Sequence, residues 1–250
     1  MQVKISEHHE AMSKMALDML IQILEETLTI KDRVVLMPSA GKTPTVLYNL
    51  LLRYKNKINW QKIIIIQMDE YIGHFHDEFS FKSYLLTNLI NPLGISNFIS
   101  LPKMSCPFTA NIYMKNYEKI IRDIGGIDVA LHGIGTNGHI GFNEPGCLED
   151  QDSGVFALAA STILANKEAF KGQACPTHGC SLGLNILAEA RKNILIASGT
   201  SKKIVVKNLI KTKIFSNTIP ASILVSKNTT LFTEKLCLES ELYDFNTEQD

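Results

Sequence analysis

The sequence predicts an α/β fold: an open, mostly parallel, Rossmann-like sheet covered by helices on both faces, with a single domain over residues 1–250. Three observations predict it. Short runs that are apolar throughout alternate with segments of helical spacing. Few of those runs show the period-2 pattern of a half-exposed strand. The residues able to do chemistry follow the apolar runs, where an open α/β sheet places its ligands.

Residues 7–29 carry Met12, Met15, Ala16, Met19, Leu20, Ile23 and Leu24 at helical spacing, which predicts a long amphipathic helix. RVVLM at 33–37 is a short buried strand. Thr43-Pro44 has the form of an N-cap followed by Pro at N1, and opens a helix to about residue 54. KIIIIQM at 62–68 is a second strand, followed by helical stretches at 79–91 and 108–124. IDVALHG at 127–133 and NILIASG at 193–199 are further strands, with a helix at 201–212 behind the latter. TTLFTE at 229–234 is the last strand. Residues 146–178 have weak periodicity and are expected to form an inserted or mobile segment. Nothing in the chain has the composition of a linker, a repeat or a low-complexity tract.

Hydrophobic residues make up 45 % of the chain and there are 8 prolines, which suits a sizeable packed core. The 25 basic and 25 acidic side chains cancel, so no basic footprint points to a nucleic-acid partner. No apolar run approaches the roughly 18 residues that span a bilayer, so no membrane partner is expected. MQVKISEHHEAMSKM is too polar for a signal peptide, and the expected location is cytoplasmic. Cys106, Cys147, Cys175, Cys180 and Cys237 are odd in number and lack CxxC spacing. They read as reduced structural thiols, and no zinc site is expected.

Three loops hold the candidate chemistry. The first is SAGKTP at 39–44, whose GKT matches the tail of a nucleotide P-loop. A full P-loop needs glycine five positions before Gly41, where this chain has Leu36 inside a strand. Pro44 also sets the helix start one step late, so magnesium-dependent ATP binding fits poorly. What remains is Ala40, Gly41, Lys42 and Thr43 at a helix N-terminus. That is either an anion site or an ordinary turn with a solvated lysine.

The second loop, QMDEYIG at 67–73, puts two acids directly after a buried strand. Asp69 would face a cleft, where burial raises a carboxyl pKa toward the range of a general base; the alternative is an Asp capping the next turn. The third, HGIGTNGHIGFNEPG at 132–146, contains GxGxxG at Gly133, Gly135 and Gly138. A dinucleotide turn must open a long helix, and Gly141, Pro145 and Gly146 forbid one here. The glycines are read instead as allowing the backbone close to a ligand. His139, with Glu144 five residues on, then reads as a proton shuttle tuned by a carboxylate.

GIGTNGHIGFNEPG, preceded by QMDEYIG and the Gly-Lys-Thr-Pro turn, closely resembles the glucosamine-6-phosphate deaminase/isomerase family. Its superfamily includes the 6-phosphogluconolactonases, which resemble the GxGxxGH portion but lack FNEP. The resemblance runs in order from about residue 33 to 225 and includes IPASIL at 219–224. It implies conversion of an aminosugar 6-phosphate and water to a ketose 6-phosphate and ammonia, with no metal or organic cofactor. It implies that Asp69 moves a proton between C2 and C1, that His139 opens the ring through O5, and that Glu144 tunes and orients His139. Asn137 would add an orienting hydrogen bond without charge. The phosphate would lie on the 39–44 turn with help from Lys202 in SGTSKK at 198–203. A homo-oligomer is implied as well.

There are departures. Ala40 and Lys42 replace a hydroxyl and a small residue of the usual turn. Glu168 stands where glucosamine-6-phosphate deaminases have a phosphate-binding Arg, with Lys167 and Lys42 as candidate substitutes. PTHGCSLGL at 176–184 looks more like the galactosamine-6-phosphate isomerases, so both C4 epimers stay open as substrate. The C-terminal extension and basic residues of allosteric members are not evident, so no activation by hexosamine phosphates is expected. The competing classes are a 6-phosphogluconolactonase-like hydrolase and a non-catalytic sugar-phosphate sensor.

Overall fold

A computed structural model describes residues 1–238. Residues 239–250 of the expected 1–250 unit lie outside the described residues. The strands are β1 (Gln2–Ser6), β2 (Val34–Met37), β3 (Ile63–Ile66), β4 (Asp69–Ile72), β5 (Asn97–Ile99), β6 (Val129–Gly133), β7 (Gly154–Ala157), β8 (His178–Ser181), β9 (Lys192–Ala197) and β10 (Thr229–Glu234). The helices are α1 (His9–Ile30), α2 (Lys42–Leu51), α3 (Phe81–Leu85), α4 (Asn91–Leu93), α5 (Pro107–Asp123), α6 (Ala160–Asn166), α7 (Leu184–Glu189) and α8 (Lys203–Lys211). A π-turn at Leu86–Ile90 joins α3 to α4, so the helix expected at 79–91 is one interrupted rod.

Seven strands form one sheet in the order β1-β10-β9-β6-β2-β3-β5, and every pairing in it is parallel. The strand residues explain why both faces are covered. Along β2, Val34 and Leu36 enter one core with α1 and α2, while Val35 and Met37 enter the other with α5, α7 and α8. A strand buried on both sides needs apolar residues at every position, which is why these runs lack alternation.

After β1, which sits at one edge, the chain runs outward twice from the centre, through β2, β3 and β5 on one side and then through β6, β9 and β10 on the other. The order therefore reverses between β2 and β6, which pair through Leu36 and Val129. The carboxyl ends of strands flanking such a reversal open a crevice between their loops.

Two expectations are corrected, the loop at Asp69–Glu70 and the cap at Thr43. Asp69 and Glu70 are not in a loop: they open β4, which pairs antiparallel with β8, as does β7, in a second three-stranded sheet. Residues 146–178 hold β7, α6 and the first residue of β8. Thr43 is not the cap of α2, because the helix already starts at Lys42 with Gly41 at the N-cap, φ +122°. Pro44 falls within the first turn, where its missing N–H has no helical acceptor in any case.

Candidate functional site

A cleft of about 590 Å³ opens at the carboxyl ends of the central strands. Ser39 to Thr45, after β2, form one wall. Met68 and Asp69, where β4 begins, form a second. Gly133 to Thr136 and His139, after β6, form a third, and Ser198, Ser201 and Lys202, after β9, complete it. Asn166, Ala169 and Phe170 line it from the far side.

The 39–45 turn is held from behind. Tyr84 and Thr45 hydroxyls both donate to the Gly41 carbonyl, at 2.7 and 3.1 Å, and the Tyr48 hydroxyl donates to the Ser39 carbonyl at 2.6 Å. With the carbonyls so engaged, the amides at the start of α2 are left for an anion. Ser39 Oγ is buried, lines the cleft and has no hydrogen-bond partner among the described residues. A buried hydroxyl without a partner is costly, and here it marks a place that a ligand oxygen would fill. Lys42 lies on this wall with its side chain exposed. Lys202 is partly buried, and among the described residues no carboxylate pairs with it. Burial holds its pKa below the usual lysine range.

Asp69 is 9 % exposed, and its carboxyl accepts no hydrogen bond from the described residues. Its pKa is pushed up to about 8, first by burial and then by the charge of Glu70. Glu70 is its opposite. That carboxylate accepts from Gln67 Nε2, the Ser80 hydroxyl and the backbone N–H groups of Tyr71, Phe81 and Lys82, at 2.7–3.1 Å. Five donors surround the buried Glu70 carboxyl and fix the start of α3 against β4.

His139 lies flat on Gly135, where any Cβ would overlap the ring. The second glycine of GxGxxG thus makes room for the ring, and its backbone also lines the cleft. Asn137 and Glu144 do not line the cleft; both stand behind His139. His139 Nδ1 is 3.4 Å from Glu144 Oε2 and 3.1 Å from Thr162 Oγ1. Asn137 Oδ1 accepts from the His139 backbone N–H at 3.2 Å, and Asn137 Nδ2 donates to Glu144 Oε2 at 2.8 Å. Those two bonds fix the amide's orientation. A carboxylate at 137 would stand against Glu144, so asparagine suits this pairing. Ala159 N–H donates to Glu144 Oε1 at 3.2 Å. Burial works to raise the Glu144 pKa, but the hydrogen bond and charge of His139, then Thr162 and Asn137, outweigh it and hold it at about 2.

The structure therefore brings Asp69, His139 and Lys202 and the turn from Ala40 to Thr43 to one cleft, with Asn137 and Glu144 behind it. Lys167 and Glu168 are exposed and do not line it. Three contributors were not singled out from sequence: Thr162, Tyr84 and the pinning role of Glu70. Each acts through tertiary contacts that no local pattern signals, although Glu70 is adjacent to Asp69.

A turn with free helix-start amides, a buried acid and a histidine backed by a carboxylate, at the switch point of a parallel sheet, make a cleft suited to acid/base chemistry on a small molecule. The comparisons narrow that class. A sequence profile described as glucosamine-6-phosphate isomerases/6-phosphogluconolactonase matches residues 7–233. The chain is 34 % identical over 229 residues to a glucosamine-6-phosphate deaminase of Clostridium botulinum, covering 90 % of this chain and 91 % of the other. It is 37 % identical over 214 residues to that of Clostridium novyi, covering 82 % and 87 %. A solved monomeric glucosamine-6-phosphate deaminase superposes with a TM-score of 0.87 at 26 % identity, covering 95 % of this chain and 98 % of that one. A 6-phosphogluconolactonase from Thermotoga maritima, at 19 % identity and TM-score 0.73, shares the fold. This chain belongs to the glucosamine-6-phosphate isomerase/6-phosphogluconolactonase family.

Proposed function

We propose that the protein converts an aminosugar 6-phosphate, of either the glucosamine or the galactosamine configuration, and water to a ketohexose 6-phosphate and ammonia. The observation that carries this reading is the shared cleft: a buried acid with a pKa of about 8, His139 backed by Glu144, and the 39–45 turn meet at one space. The phosphate lies on the 39–45 turn, with Lys202 supplying the countercharge. His139 passes a proton to and from O5 as the ring opens. Asp69, once ionised, takes the C2 proton and returns it at C1. Water then adds to the resulting imine carbon, and ammonia leaves. Keeping ring opening and proton shift on separate groups lets each have the pKa its step needs.

Ammonia release assayed on both epimers tests the reading, and no release from either would refute it. Asp69→Asn should abolish exchange of solvent deuterium at C2 while substrate still binds. Retained exchange would sink the assignment of the base.

The reading extends to three coarser matters. The segment 146–178 is proposed to move over the cleft, supported by Asn166, Ala169 and Phe170 lining it. The cytoplasm is proposed as the location, supported by five free cysteines. Self-association is proposed on the exposed apolar side chains of Phe108 and Ile112, and a sedimentation measurement decides it against a monomer.

A further inference from the structure

Glu234, the last residue of β10, is 5 % exposed and does not line the cleft. Its carboxylate has a defined use all the same. Oε1 accepts from the Ser198 hydroxyl at 2.5 Å and from the Gly199 N–H at 2.8 Å. Both donors belong to the turn that leaves β9 for the cleft. Gly199 turns the chain there at φ +93°, and its carbonyl accepts the Lys202 N–H at 3.0 Å, which closes the short helical turn Thr200–Lys202. The Cys237 thiol donates to the same carbonyl at 3.4 Å. Gly199 is therefore gripped at its N–H and at its C=O by the segment from Glu234 to Cys237. Burying a carboxyl is costly, and the two donors offset that cost only while the turn keeps this shape.

We propose that Glu234 is a positioning residue for the anion end of the cleft: by holding Ser198 and Gly199 it sets where Lys202 stands, and so how tightly the site holds a phosphate group. It does not touch the ligand; it acts through the turn. Nor does it neutralise the lysine, with which no carboxylate among the described residues pairs, so the cation stays free for an anion. The sheet explains why this acid can reach the turn. β10 runs parallel to β9 with Thr233 beside Ala197, so the next residue on each strand is Glu234 on one and Ser198 on the other. The inference deepens the proposed function and rests on it for Lys202 as the countercharge, but the hold on an anion is read without turnover.

The test is Glu234→Leu, which keeps most of the bulk and removes the acceptor, beside Glu234→Gln, which keeps an acceptor oxygen. Each is made in the wild type and in Lys202→Met. Calorimetric titration of the full-length proteins with inorganic phosphate reads the hold on the anion, and steady-state ammonia release reads kcat and KM. Glu234→Leu should weaken phosphate binding and raise KM by about 10-fold, with kcat within about 2-fold. Glu234→Gln should stay within about 3-fold of the wild type in both. In Lys202→Met, adding Glu234→Leu should change phosphate binding and KM by no more than about 2-fold, because its effect passes through that lysine. Unchanged phosphate binding in Glu234→Leu would overturn the proposal. So would a Glu234→Gln protein as weak as the leucine variant, an undiminished loss in the Lys202→Met background, or a wild type that binds no phosphate. If Glu234→Leu does not fold, Glu234→Asp decides: its shorter side chain withdraws the acceptor and should weaken phosphate binding, and wild-type binding would overturn the proposal. If the wild type releases no ammonia, the functional reading fails, and the phosphate titrations still decide the role of Glu234.

Discussion

Replacing Asp69 with asparagine should stabilise this protein, by an amount that grows with pH. The carboxyl is buried without a hydrogen bond from the described residues, so the substitution breaks none of the described contacts. Burial, and then the charge of Glu70, raise its pKa from 3.8 to about 8. Between those values the folded protein holds a proton that the unfolded chain has released. The stability tied to that proton is full below pH 3.8 and is lost as pH rises to about 8, at about 1.4 kcal/mol per pH unit. Asparagine has no such proton. From about pH 5 to about pH 7 the variant should therefore gain about 3 kcal/mol on the wild type.

For a chain of this size, each kcal/mol moves Tm by about 2–4 °C, so the difference in Tm should widen by roughly 6–12 °C over that interval. Every other group titrates in both proteins and cancels in the difference. Thermal melts of both proteins from about pH 5 to about pH 9 read it directly. The gap should grow up to about pH 8 and then stay level. A gap independent of pH would refute the reasoning, because Asp69 would then be ionised at neutral pH in the folded protein. The same titration should appear in kcat/KM of the wild type, rising about tenfold per pH unit toward about pH 8.

Two further variants test other parts of the site. Glu144→Gln should lower kcat by about 10–100-fold, since the carboxylate held at about 2 is what Nδ1 of His139 faces; a lactone hydrolase using His139 alone would be spared, so an unchanged rate would favour that class. Lys202→Met should raise KM by about 10-fold or more with little change in kcat and no loss of Tm, because the removed cation is partly buried and has no described carboxylate partner; an unchanged KM would remove Lys202 from the phosphate site.

How much of this was legible in the sequence depended on whether the signal was local. The first helix, read at 7–29 and found at His9–Ile30, announces itself by apolar spacing on one face. The strands at 33–37, 62–68, 127–133 and 193–199 announce themselves because burial on both faces demands unbroken apolar runs. β1 escaped notice because it is an edge strand whose Gln2, Val3, Lys4 and Ile5 are exposed, and its only sheet partner, β10, comes more than 200 residues later. β4, β7 and β8 escaped because each is short and has its partner far along the chain. The same divide runs through the site. Asp69 and His139 lie in recognisable motifs that closely follow unbroken apolar strands. Thr162 lies in a stretch of alanines, threonine and leucine with no pattern, and only the folding of α6 against His139 brings it to the site.

The electrostatics of the cleft bear on which substrate it suits. Asp69 and Lys202 both face it, and burial pushes both toward their neutral forms. The rise of Asp69 to about 8 corresponds to about 6 kcal/mol against its carboxylate. A unit positive charge about 4 Å away, at an effective dielectric near 20, contributes about 4 kcal/mol in its favour. That offsets most of the penalty and returns the acid to ionised form at neutral pH. On the proposed reading Asp69 works at C2, and in an aminosugar C2 bears an ammonium group within that reach. The phosphate at the other end supplies Lys202 with its missing anion. A lactone phosphate would satisfy Lys202 but bring no cation to Asp69, which would stay protonated and unable to act as a base. The two buried groups thus suit a ligand that is anionic at one end and cationic at the other, and this favours the amine-bearing sugar phosphate over the lactone.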